Sequence, residues 1–145
     1  TIILALILIP LGALNAKGKW HLTQYPQVRM IRWNKVEYMT NILSWGLYLL
    51  GYEFLFRGVL FLGLIPFTGL YTAIGINTVL YALAHLYKGK KETIGSIPLG
   101  IVLCYITWKT GTIWTAFAIH WIIAGNNFIW SHYYSKQQNT FKQSN

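Results

Sequence analysis

Glu53 and Arg57 are separated by four positions in the stretch Gly51-Tyr52-Glu53-Phe54-Leu55-Phe56-Arg57-Gly58. On a helix that spacing puts both on one face, with the acid N-terminal to the base. The chain is apolar on either side, from Ile42 to Leu50 and from Val59 to Ile65. A carboxylate and a guanidinium inside hydrocarbon are costly unless they are paired or face a polar cavity. Two readings follow: an ion pair that locks this helix to a neighbour, or one corner of a functional site. Two histidines bear on the choice. His85 ends a polar stripe, Asn77, Tyr81 and His85, that recurs every fourth residue on an otherwise apolar segment. His120 stands in a later apolar run, with Asn127 seven residues on, nearly on the same face. One such histidine is most simply a hydrogen-bonded packing residue. Two on separate segments, with Glu53 and Arg57 on a third, would supply a carboxylate and two imidazoles, enough to activate a water if they converge.

The elements that must hold these groups are membrane helices. Of 145 residues, 54% are hydrophobic and 10% charged, against about one-quarter charged in a soluble domain. The expected fold is an all-α, polytopic transmembrane bundle with about five spans, each needing roughly 20 residues. They are read at Thr1–Leu14, Tyr38–Ile65, Leu70–Tyr87, Thr93–Trp108 and Thr112–Tyr133. The first is taken as the truncated end of a membrane helix, since no basic residue precedes it as in a signal peptide. Pro66, Thr68 and Gly69 break the second, the polar turn Lys88–Glu92 ends the third, and Lys109, Thr110 and Gly111 end the fourth. Three regions follow: 1–37, a first span plus an aromatic and basic interfacial loop; 38–134, the core; and 135–145, a polar tail expected to be disordered.

The net charge of +9 does not point to nucleic acid, because the basic residues lie between apolar segments rather than on one soluble face. They are topology signals instead. Lys17, Lys19, Arg29, Arg32, Lys35, Lys88, Lys90, Lys91, Lys136 and Lys142 fall on one side if five spans alternate, and Lys109 alone on the other. The basic side is cytoplasmic. This places a multi-pass protein in the cell membrane, with loops 15–37 and 88–92 and the C-terminal tail in the cytoplasm and the bilayer as its partner. The one cysteine, Cys104, permits neither an internal disulfide nor a cysteine-based metal site.

Glu-x-x-x-Arg-Gly, an aromatic-x-x-x-His and a later intramembrane His together resemble the CPBP family. These are intramembrane proteases related to type II CAAX prenyl endopeptidases and to the bacterial Abi (bacteriocin self-immunity) group. The resemblance covers residues 38–133, and its most specific part is Glu53-Phe54-Leu55-Phe56-Arg57-Gly58. It implies an endopeptidase that hydrolyses a peptide or protein substrate near the cytoplasmic surface with a Glu/His-activated water. The implied catalytic residues are Glu53, His85 and His120, supported by Arg57, Tyr52 and Tyr81. In the family a first Glu and the first His activate water, and the second His and an Asn stabilise the oxyanion. Here Tyr52 occupies the place of the first Glu, Tyr81 that of the Phe before His85, and Ala124 that of the Asn. A tyrosine, neutral at pH 7 with an unperturbed pKa of about 10, is no carboxylate base. Glu53 could take the base role, Tyr52 could donate to the oxyanion, or Glu92 could bring in a carboxylate. Glu92 also reads as a helix-start acid favoured by the dipole. No cofactor is expected; two histidines and a glutamate are zinc-type ligands, but no His-Glu-x-x-His pair is present, and a metal is not required. The alternative is a catalytically inactive member of this fold that binds a peptide or confers bacteriocin self-immunity.

Overall fold

The computed structural model describes residues 33–143, with side chains through residue 134. The expected first span and most of the interfacial loop lie outside the described residues. Within them the chain is all-helical and no strand occurs.

Helix α1, Lys35–Glu53, starts on a reciprocal cap. The Glu37 amide donates to Asn34 Oδ1 at 2.8 Å, and the Asn34 amide to Glu37 Oε2 at 2.9 Å. Each side chain thereby satisfies a backbone donor that the first turn leaves open. The chain then widens into a π-helix over Phe54–Leu62. It tightens again at Gly63, whose amide reaches the Val59 carbonyl four residues back, and continues as α2, Gly63–Thr68. These three pieces form one continuous 34-residue helix. Pro66 sits inside α2 without ending it. The break comes at Gly69 (φ 78°, ψ 165°), a conformation open essentially to glycine alone.

Helix α3, Leu70–Leu83, gives way at His85 to a single 3₁₀ turn, Leu86–Lys88. Gly89 (φ 96°, ψ 165°) then redirects the chain into α4, Lys90–Thr110. At the far end of α4, left-handed Gly111 donates to the Thr107 carbonyl, satisfying one open acceptor of the last turn. Helix α5 is Trp114–Gln143.

The chain divides into two compact units. In the unit Leu47–Ala118, α3 packs chiefly on α4, and the π-segment lies against both. Phe61, Ala73 and Cys104 form its fully buried apolar centre, flanked by Leu62, Leu64, Ile65, Leu70 and Ile74. At Gly100 α4 lies close against α3: a Cβ there would lie 3.1 Å from Tyr81 Cδ1. The described part of the other unit is residues 33–46 and 119–143. Trp33, Tyr38, Phe128 and His132 pack ring on ring there, Trp33 and Phe128 with centroids 5.2 Å apart. The Trp121 indole donates to the Ile42 carbonyl at 3.2 Å across Gly46.

Several sequence boundaries move. Among the described residues one helix, Lys35–Thr68, is long and apolar enough to cross a bilayer, and Leu70–Leu83 is apolar but shorter. The expected third span, Leu70–Tyr87, is cut at Leu83 because the chain bends at His85. The fourth begins at Lys90 rather than Thr93, because Gly89 alone makes the turn. Beyond Tyr133 the backbone stays helical through Gln143, where sequence placed a disordered tail. That stretch contains neither Gly nor Pro, the two residues that most oppose helix.

Candidate active site

The widened turn at Phe54–Leu62 carries the motif arginine. A turn closed by i→i+5 bonds holds more residues than an α turn, so side chains beyond it leave the angles of a straight α-helix; such turns gather at functional sites. Glu53 is the last residue before this change and Arg57 lies inside it. Both are fully buried. Arg57 Nε is 3.3 Å from Glu53 Oε2, and Nη1 donates to Oε1 at 3.5 Å. These contacts are long for charge-assisted hydrogen bonds, so the pair is held by attraction rather than by ideal geometry. The guanidinium carbon also lies 4.1 Å from the centre of the Tyr81 ring, a desolvated cation–π contact.

Tyr81 carries the cluster on to His85. The two rings are 4.6 Å apart, and His85 Nδ1 is 2.8 Å from the Tyr81 carbonyl oxygen. A carbonyl only accepts, so Nδ1 carries the proton of this bond; in the neutral form of such a ring Nε2 is the acceptor nitrogen. Tyr52 closes the group. Its ring lies 4.5 Å from Phe56, 5.7 Å from Tyr81 and, at right angles, 6.1 Å from His85. A continuous line of contact therefore runs Glu53, Arg57, Tyr81, His85, with Tyr52 leaning on its last two members.

Five of the six residues singled out from sequence thus gather within the unit Leu47–Ala118. The sixth, His120, belongs to the other unit, where it is buried at 7% exposure on α5. Glu92 is in the first turn of α4, as the helix-dipole reading has it. Glu37 is taken up by the cap of α1. The sequence holds three acidic residues, so Glu53 is the acid that no helix start employs. Among the described residues no three His, Cys, Asp or Glu side chains group so as to hold a metal ion.

Sequence reasoning noticed Asn77 in the polar stripe but gave it no role. Asn77 is fully buried; its amide donates to the Phe56 carbonyl inside the π-segment, and its Oδ1 accepts from Cys104 Sγ at 3.1 Å. The stripe was legible in the four-residue spacing. Its partner, a backbone carbonyl, has no sequence signature.

Comparison with known families now bears on this cluster. The Type II CAAX prenyl endopeptidase Rce1-like family matches residues 34–125. The chain belongs to that family. The match begins at the capping Asn34 and includes α1, the π-segment, α3, α4 and both histidines. The Rce1-like family is a membrane-embedded protease family, as the resemblance implied. Tyr52 and Ala124 also lie within the matched residues. No curated protein and no solved structure matches the chain.

Proposed function

We propose that this protein is an intramembrane endopeptidase that hydrolyses a peptide bond near the cytoplasmic membrane surface, with His85 as the residue that activates water. The observation that carries the reading is the hydrogen bond of His85 Nδ1 to the Tyr81 carbonyl, which fixes the tautomer and turns Nε2 into the basic nitrogen. Glu53 already faces Arg57, so its role is electrostatic: it offsets the guanidinium charge that would otherwise disfavour the imidazolium forming at His85. In the reaction Nε2 takes a proton from water as the oxygen attacks the scissile carbonyl. The Tyr52 hydroxyl donates to the developing oxyanion, the kind of stabilisation that dominates acyl transfer; for His120 the same part rests on the family resemblance alone. Collapse then breaks the C–N bond, and His85 returns its proton to the leaving amine. The core is residues 38–134 within a five-span, multi-pass fold, with loops 15–37 and 88–92 and the C-terminal tail cytoplasmic. The substrate is a peptide or protein, and nucleic acid is not a partner.

The test is cleavage of a pooled, internally quenched peptide library by the full chain in proteoliposomes, compared with Glu53→Gln, His85→Ala and His120→Ala. Each variant is expected to lower kcat by on the order of 100-fold or more. Exhaustive chelation is expected to leave activity intact. Unchanged activity in all three variants overturns the reading.

A second reading is favoured by one observation, Tyr52 at the position of the family's first Glu. It is a catalytically silent membrane protein that holds a peptide or confers self-immunity to a bacteriocin. On that reading the wild-type chain binds library peptides without cleaving them.

A further inference from the structure

A π-helix of nine residues needs outside support. Such turns are rare and mostly single, and the apolar sequence Phe54–Leu62 is equally compatible with an ordinary α-helix. Relaxation to α would change the angle at which Arg57 leaves the helix, and with it the place of the guanidinium against Tyr81 on α3. Two neighbouring helices grip the segment at one carbonyl. From α3, the Asn77 amide donates to Phe56 O, one residue before Arg57. From α4, Cys104 donates to Asn77 Oδ1 and so fixes which way the amide points. Asn77 and Cys104 are both fully buried, so no water competes for these bonds and the relay holds its geometry. Phe61, near the end of the π-segment, packs against Ala73 and Cys104 in the apolar centre. The same two helices thus grip the segment at both ends.

We propose that Asn77, oriented by Cys104, is a positioning residue that holds Phe54–Leu62 in its π register and thereby sets the Arg57 guanidinium against Glu53 and Tyr81. The structural claim stands by itself; its kinetic consequence rests on the protease reading.

The chain carries its own reporter, because Cys104 is the one cysteine in the sequence. Its S–H infrared stretch lies clear of other protein bands and is identified by its loss in Cys104→Ala. In detergent-solubilised wild-type protein the band is expected at the lowered frequency of a hydrogen-bonded thiol, and Asn77→Leu should raise it. The carboxylate bands of Glu53, identified by their loss in Glu53→Gln, report the ion pair. They are expected to shift in Asn77→Leu, and in the same direction but less in Cys104→Ala. In the library assay, Asn77→Leu should lower kcat by on the order of 100-fold, as misplacement by about an ångström does, with KM little changed. Glu53 bands unmoved in both variants overturn the proposal, as does a full cleavage rate in Asn77→Leu. If Asn77→Leu loses its helical circular dichroism, Cys104→Ala decides. If the wild-type chain cleaves nothing, the protease reading fails, and the Glu53 bands still test the relay.

Discussion

At the scale of residues, the buried pair Glu53 and Arg57 dominates. Taking both charges out of water is expensive, and their attraction offsets that cost only while both are present. Arg57→Met is therefore expected to destabilise the fold by about 3–5 kcal/mol, while Glu53→Gln combined with Arg57→Met recovers most of that loss. Reversible denaturant unfolding in mixed micelles measures both. The double variant should remain inactive, which separates the pair's part in folding from its part in chemistry. Lys88, in the turn after His85, gives a pH signature. Burial lowers its pKa below the ordinary 10.5, and Glu92 opposes the shift only in part. The unfolded chain then holds this proton more tightly than the folded one. Stability should rise with pH across the window between the lowered value and 10.5, and level off above it. Melting temperature against pH should flatten in that window for Lys88→Gln; an unchanged slope would show that Lys88 is not its source.

At the scale of elements, two side chains of the cluster depend on a departure from a regular helix. Arg57 rides on the π-segment, and His85 sits where α3 opens into a 3₁₀ turn. That turn is closed by Gly89, whose backbone (φ 96°, ψ 165°) lies where a Cβ is not tolerated without strain of about 1–3 kcal/mol. Gly89→Ala is expected to cost that much stability. It should also cut cleavage more than Gly51→Ala, a helical site where an added Cβ meets nothing within 4 Å. Equal kinetics in the two variants would mean that the turn does not position His85. Boundaries written in side chains could be read from sequence: Asn34 three residues before Glu37 is a capping signature, and Gly111 just past Thr110 is a terminating one. The π-turn could not, because its register is set by Asn77 from another helix.

At the scale of the whole molecule, polarity runs inside out. Glu53, Arg57, Asn77, Thr78, His85, Ser96, Thr107, His120, Asn126 and Ser131 are buried, while Leu43, Leu47, Val59, Phe67, Val79, Ile94 and Ile101 are exposed. An apolar exterior of this extent marks an interaction surface, and hydrocarbon is the environment that suits it best. The proposed topology is tested on a Cys104→Ala background with single cysteines at Phe67 and Lys90, both exposed. In intact cells a membrane-impermeant maleimide should label Phe67→Cys and spare Lys90→Cys; in lysed cells it should label both. The reverse pattern, or equal labelling in intact cells, overturns the orientation drawn from the positive-inside rule.

The sequence by itself determined the family and the helical class, and it singled out the polar residues that the structure finds buried. Those properties are carried by residue type and by spacing along one chain, and the Glu53 to Gly58 motif and the Asn77, Tyr81, His85 stripe are both of that kind. It overextended the third segment and ended the last one early, since a bend at His85 and a polar helical stretch beyond Tyr133 leave little trace in composition. Only the tertiary structure decided that Arg57 lies over Tyr81, that His85 Nδ1 meets the Tyr81 carbonyl, and that Asn77 grips the Phe56 carbonyl. Each of these depends on the distance between groups on different turns or different helices, and packing alone fixes such distances.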